Sequence, residues 1–316
     1  MTTASKYVIL GSGQLGLAIM DELVAQGQPV KVVNRSGAAH EPLPETVTVA
    51  AADATDPDQV AAVCAGASVV FFCVQPAYNR WPEDFPPLAS SVIEGVSRAG
   101  ARLVFGSNLY MYGPTGGQPL TETTPYAAQT RKGRARTQVA NLLLDAHQQG
   151  KVQVVIGRAS DFYGPRVVDS MAGEMIFGAA LAGKTVNLAG DIDLPHTLTY
   201  IRDFARALVT LSQHQEAYGQ AWHVPSAQTV TTRHFLELIE AEIGRPIQTR
   251  TAGRNMMRFL GLFNSDVREV VEMMYEFEEP FIVDHSRFEA AFGNGVTPHA
   301  LAIQQTVAWY KQQAGG

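Results

Sequence analysis

Through the first half of the 316-residue chain, short apolar runs alternate with longer segments of helical spacing. Few architectures accept that alternation. Tyr7–Leu10 is short and apolar, and Gln14–Gln26 sets Leu15, Ala18, Ile19 and Leu23 on one helical face. Val30–Val33 and Val47–Ala50 read as a second and a third strand. Asp56 stands before Pro57, and proline is favoured at the first position of a helix, so a helix is expected there. Ser68–Val74 is apolar on both faces, as a central parallel strand must be. Leu88–Ala99 reads as a helix ended by Gly100, and Arg102–Phe105 as a fifth strand. Thr130–Gln149 reads as a long helix ended by Gly150, and Val152–Ile156 as a sixth strand. Strands that alternate with helices build a parallel sheet covered on both faces.

The first strand runs into Gly11-Ser12-Gly13-Gln14-Leu15-Gly16, a G-x-G-x-x-G loop between strand and helix. The first glycine permits a tight turn, the second lets the backbone approach a pyrophosphate, and the third lets the helix pack close to the sheet. The helix start adds free amide donors and a positive dipole end. Gly11, Gly13, Gln14, Leu15 and Gly16 are therefore the candidate dinucleotide loop. A loop that selects NAD has a carboxylate at the end of the second strand. Here that place holds Asn34-Arg35-Ser36, and Arg35 offers a permanent planar cation to a 2′-phosphate. The expected cofactor is NADP, with NAD the second choice. Asp53, after the third strand, is read either as an adenine contact or as a turn residue. Gln75, after the fourth, is a candidate ribose contact. Tyr78 and Trp81 follow it, either covering the site or packing the loop.

Beyond the sixth strand the pattern loosens. Gly157–Pro195 holds short pieces, many glycines and an apolar helix near Glu174–Leu181. His196–Leu211 looks like one more strand and helix of the main sheet, and the chain is mostly helical past Trp222. The fold class expected is thus α/β, a doubly wound parallel sheet of the Rossmann kind with a second, smaller, mostly helical C-terminal lobe. The dinucleotide-binding domain is placed at residues 1–157, with 196–221 returning to it. The smaller substrate lobe is placed at residues 158–195 and 222–316. Met256, Met257, Phe259, Leu260, Leu262 and Phe263 are read first as core packing of that lobe or a dimer contact, and second as an apolar ligand wall.

Composition narrows the function classes. The net charge of −6 offers no broad attraction to nucleic acid or anionic lipid. No apolar run reaches the roughly 18 residues that span a bilayer. Two cysteines, Cys64 and Cys73, fit a reduced, cytoplasmic protein, with Cys73 expected to be buried in packing. The start is short and polar, so no leader is expected. The eight histidines show no metal spacing, and His196 is read as structural before it is read as a pocket residue.

Several stretches resemble the extended short-chain dehydrogenase/reductase family, the NAD(P)-dependent epimerase/dehydratase group. They are the glycine loop; Asp53; the run from Leu103 to Pro114; Thr121–Pro125; Arg158–Pro165; Tyr200–Ala207; and Val307–Tyr310. The resemblance implies a serine or threonine after the fifth strand and a Tyr-x-x-x-Lys pair on the next helix, where four-residue spacing puts both on one face. This chain departs at all three positions. Asn108 stands for the hydroxyl residue, Lys132 for the tyrosine and Arg136 for the lysine. Asn108 can orient a carbonyl without transferring a proton. Arg136 can still bond ribose hydroxyls. Lys132 can donate a proton only if desolvation and the neighbouring Arg134 and Arg136 lower its pKa substantially. Tyr110 is the best substitute acid, ahead of Tyr112 and Tyr163, with buried packing as its competing reading. Arg131, Lys132, Arg134 and Arg136 are otherwise a solvated basic face or, with Arg158, an anion site.

Two functions follow. One is an atypical NADP(H)-dependent oxidoreductase or epimerase-like enzyme acting on a small carbonyl or alcohol, with Asn108, Lys132 and Tyr110 in the cleft between lobes. The other is a non-catalytic NADP(H)-binding sensor that has lost the acid/base set. The expected partner is a small-molecule substrate, with no nucleic acid and no membrane. The resemblance also implies a homodimer through the long helix.

Overall fold

The computed structural model describes residues 6–39 and 41–314. The opening residues, on which the expectation of no leader rests, lie mostly outside that range. The chain folds as two compact units. The first comprises residues 1–111, 132–158 and 204–224, and the second residues 112–131, 159–203 and 225–316.

The first unit is built on a seven-stranded parallel sheet. Its labelled strands are β1 (Tyr7–Leu10), β2 (Val30–Asn34), β3 (Val47–Ala51), β4 (Val69–Phe72), β5 (Arg102–Ser107) and β6 (Val154–Arg158). They lie in the order β3-β2-β1-β4-β5-β6, and Ala221–His223 pairs parallel to β6 as the far edge. Every residue of β1, β4 and β6 is buried, whereas the edge strand β3 is half open to solvent. The strand order reverses between β1 and β4. Ligands of open α/β sheets bind in the crevice at such a reversal, beyond the carboxyl ends of the strands.

Four helices of this unit follow from local chemistry. They are α1 (Gln14–Ala25), α2 (Pro57–Cys64), α3 (Trp81–Ala99) and α4 (Arg131–Gln148), the last beginning one residue before this unit's second segment. The Asp56 side chain caps α2 by accepting from the Asp58 and Gln59 N–H groups. Helix α3 ends on Gly100 in the left-handed conformation. It starts at Trp81, a full two turns before the expected Leu88. Pro82 sits in the first turn, and the helix carries Pro86 and Pro87 inside it. The inward face of Trp81, Phe85, Leu88, Ala89 and Val92 runs through these prolines unbroken. Burial of that stripe offsets the missing N–H donors.

Most of the regular secondary structure of the second unit is helical, with helices such as Thr232–Ile243 and His299–Ala314, as expected. Its core gathers Tyr163, Phe177, Phe235, Ile239, Ile303 and Tyr310. Among the described residues it holds three two-stranded sheets, two of which join residues 159–203 to residues 225–316. One corrects the sequence reading. Thr199–Tyr200 pairs with Phe162–Tyr163 instead of joining the main sheet, and the Tyr163 and Tyr200 rings pack 5.7 Å apart. A second correction concerns the Met- and Phe-rich stretch. Met256, Phe259, Leu262 and Phe263 are 55%, 58%, 75% and 78% exposed, so they do not pack the core, whereas Met273 and Met274 do. Cys64 is buried and its thiol is pushed up to about 12 by desolvation, while Cys73 is only half-buried.

Candidate active site

At the end of β1 the three glycines do three different things. Gly11 has φ +110, and a Cβ there would lie 2.8 Å from the backbone nitrogen of Val74, after β4. A Cβ on Gly16 would lie 2.0 Å from the Gly11 carbonyl oxygen. A Cβ on Gly13 would meet nothing within 4 Å. The first and third glycines are required by the fold, and the second faces open space at the start of α1. That helix has no side-chain cap and no acidic residue in its first turn. Open backbone before an uncapped helix start fits the pyrophosphate of a dinucleotide. Leu15 turns its side chain onto β5, against Gly106, so only its backbone is left to face the loop.

Asn34 organises the loop after β2. Its Nδ2 donates to Ser12 Oγ at 3.1 Å and to the Ala38 carbonyl at 2.9 Å. Its Oδ1 accepts from the Gly37 N–H and the Ser36 hydroxyl. Asn34 thus ties this loop to the glycine loop, Ser36 braces Asn34, and Arg35 beside them is exposed. Asp53 is a turn residue. Its Oδ1 accepts from the Thr55 N–H and hydroxyl. Those bonds hold its carboxyl below the usual range, with a smaller pull from Arg35.

The basic run on α4 splits by helical period. Arg131 and Arg134 are exposed, while Lys132 and Arg136, four residues apart, are 1% and 2% exposed. It is therefore not a single solvated face. Lys132 Nζ lies 4.4 Å from the centre of the Tyr78 ring. The Tyr78 and Tyr110 hydroxyls are 3.4 Å apart. Asn108 Oδ1 accepts from the Tyr110 N–H at 3.3 Å, which leaves its amide NH2 as the group that can donate to a substrate. Ser107, one residue earlier on β5, is buried, and its hydroxyl has no hydrogen-bond partner. Lys132, Tyr78, Tyr110 and Asn108 thus gather within the first unit, beyond the carboxyl ends of β4 and β5.

Arg136 lies deeper. Its guanidinium carbon is 4.1 Å from the Trp81 ring centre, 4.7 Å from that of Phe85 and 6.0 Å from that of Phe105. Nη2 donates to Gln75 Oε1 at 3.0 Å, whereas Nε and Nη1 are buried without partners. Desolvation lowers its pKa to about 9, so it stays charged at neutral pH. The resemblance implies a ribose contact at this position. In the structure the guanidinium faces the aromatic rings, and the exposed Gln75 stands outside it. Tyr78, read from the sequence as covering the site or packing the loop, lies against Lys132 and Tyr110. Its signal was proximity to Gln75 after β4.

The other candidate tyrosines are packing residues. Tyr112 is buried against Tyr126. Tyr163 is fully buried, with its hydroxyl 3.0 Å from His299 Nδ1, and burial pushes its phenol well above the ordinary range. His196 is buried between Phe277 and Phe281 with Nε2 3.1 Å from Asp161 Oδ2, which makes it a satisfied structural histidine. Among the described residues no group of His, Cys, Asp and Glu is placed to hold a metal ion, and no helix is long and apolar enough to cross a membrane.

The model of the NAD dependent epimerase/dehydratase family matches residues 7–224. The chain belongs to that family, a family of pyridine-nucleotide enzymes. No curated protein matches it. Among solved structures it is similar to UDP-glucuronic acid 4-epimerase from Bacillus cereus, in complex with UDP-glucuronic acid and NAD. That likeness is 16% identity over 97% of this chain and 99% of the other, with a TM-score of 0.78. It is also similar to a double mutant of DesIV, a dTDP-glucose 4,6-dehydratase from Streptomyces venezuelae with NAD bound, at 16% identity over 98% of both chains and TM-score 0.77. Bordetella bronchiseptica WbmH in complex with NAD+ is 17% identical over 98% of both chains, with TM-score 0.74. At these identities the likeness is one of fold.

Proposed function

We propose that this protein is an NADP(H)-dependent oxidoreductase of the epimerase/dehydratase kind. Its proposed substrate is a small carbonyl or alcohol, and its proton-transfer set is rebuilt from Tyr110, Lys132 and Asn108. The observation that carries the reading is the grouping of the Lys132 ammonium with the paired Tyr78 and Tyr110 hydroxyls. In it the tyrosine comes from the loop after β5 and the lysine from α4, whereas the family resemblance implies both on the helix. Tyr110 gives a proton to, or takes one from, the substrate oxygen. Lys132 faces that exchange with positive charge. The Asn108 NH2 donates to the same oxygen and orients it. When bound, the nicotinamide supplies or takes up the hydride at the substrate carbon.

The preference for NADP rests on Arg35 and on the absence of a carboxylate at the end of β2, with Asp53 engaged by Thr55. The solved structures cited above hold NAD, so the two cofactors have to be compared directly. Two of those proteins are named for sugar nucleotides, which therefore belong in the substrate panel beside simple aldehydes and ketones.

The test is turnover of that panel with NADPH by the natural chain, Tyr110→Phe and Lys132→Met. The expected result is a substrate whose kcat falls about 100-fold or more in both variants. A substrate turned over at full rate by both removes the proposed set. A second reading, a non-catalytic NADP(H)-binding sensor, draws on the burial of Lys132, whose ammonium lies against the Tyr78 ring. It predicts nucleotide binding with no turnover of any substrate.

A further inference from the structure

We propose that Arg136 is a positioning residue that acts on the cofactor through Gln75, by holding the Gln75 amide with its NH2 group turned outward. The proposal rests on the NADP(H) reading above.

An arginine side chain carries donors only, so the Gln75 atom that faces Nη2 has to be Oε1. A glutamine on an exposed loop is otherwise free to present either end of its amide. Here a flip would set donor against donor beside a buried cation. With Oε1 held by Arg136, Gln75 is left to offer its NH2 donors to its open side. They suit acceptor oxygens of a nucleotide, whether ribose hydroxyl or phosphate.

The position of Gln75 supports this reading. It directly follows Val74, whose backbone forms the wall against Gly11 in the dinucleotide loop. The same loop is pinned a second time by the Trp81 Nε1–H, which donates to the Pro76 carbonyl at 3.3 Å. Trp81 in turn carries the Arg136 guanidinium on its ring face. One buried cation thus joins α4, the start of α3 and the loop after β4.

The energetics point the same way. A guanidinium buried with two nitrogens unpartnered and no carboxylate bonded to it is an expensive way to fill a core position. Stacking on Trp81 and Phe85 recovers part of that cost and locks the fork in one orientation. A neutral side chain of similar length would pack there at less cost but could not orient Gln75. The ribose contact that the family resemblance assigns to this helix position is thereby handed to Gln75.

The experiment is calorimetric titration with NADPH, together with thermal unfolding, for the natural chain, Arg136→Met, Gln75→Ala and the double variant. Arg136→Met is expected to unfold at the same or a higher temperature and to bind NADPH about tenfold more weakly. Gln75→Ala is expected to weaken binding to a similar extent, and the double variant to bind no more weakly than Gln75→Ala alone. Unchanged affinity in Arg136→Met, or full additivity in the double variant, overturns the proposal. Should Arg136→Met fail to fold, Gln75→Glu carries the test. It gives Arg136 an anionic partner and removes the outward donors, so a higher unfolding temperature with weaker NADPH binding supports the proposal, and unchanged affinity overturns it. A natural chain that binds neither NADPH nor NADH overturns the cofactor reading beneath it, and the proposal with it.

Discussion

Gly16 stands so close to Gly11 that a Cβ on Gly16 would lie 2.0 Å from the Gly11 carbonyl oxygen. That obstacle is backbone and cannot swing away. Gly16→Ala is therefore expected to destabilise the chain by about 1–3 kcal/mol or more. Gly13, between them, has φ −77 and open space at its Cβ position. Gly13→Ala is expected to stay within about 0.5 kcal/mol of the natural chain. It should nonetheless lose most of its nucleotide affinity, because the added methyl occupies the approach to the helix start. Denaturant unfolding beside nucleotide titration separates the two effects. A Gly13→Ala variant that binds normally would show that no phosphate comes close there.

Tyr163 offers a test of which tyrosines do chemistry. His299 Nε2 faces the Gln228 carbonyl at 2.9 Å, so it carries the proton, and Nδ1 is left to accept from the Tyr163 hydroxyl. Tyr163→Phe leaves that buried acceptor unsatisfied and is expected to cost about 1–3 kcal/mol. Turnover at a temperature where the variant is folded should not change. The opposite pattern, full stability with lost turnover, would move the acid role from Tyr110 to Tyr163.

Glu276 predicts a pH dependence. It is 2% exposed, and desolvation, reinforced by Asp161, raises its carboxyl pKa well above the ordinary value. The unfolded chain releases this proton near the ordinary value and the folded chain keeps it, so stability falls as pH rises between the two. Glu276→Gln removes that slope. It is expected to raise the unfolding temperature at about pH 8 and to give no gain at about pH 3, where both states of the natural chain are protonated. An equal gain at both pH values would mean that packing, not ionisation, is responsible.

The order of strands and helices in the first unit was legible because each strand is a separate apolar run and each helix has its own period. The glycine loop was legible because its three glycines have steric causes that do not depend on the rest of the fold. Trp81 reads as a loop residue because the prolines that follow hide a helix held by its buried face. Arg136 read as an exposed or ribose-bonding cation because the aromatic rings that enclose it come from α3 and β5, far away in sequence. The strand at Thr199–Tyr200 has the right composition for the main sheet, and only its partner, Phe162–Tyr163, shows that it lies elsewhere.

The dinucleotide site is tested most directly by calorimetric titration of the natural chain and of Arg35→Ala with NADPH and, separately, with NADH. The natural chain is expected to bind NADPH more tightly than NADH, by about tenfold or more, and Arg35→Ala to lose that preference with NADH affinity little changed. Tighter binding of NADH, or an NADPH preference that survives the substitution, would contradict the assignment of Arg35. Binding of neither nucleotide would contradict the dinucleotide site itself.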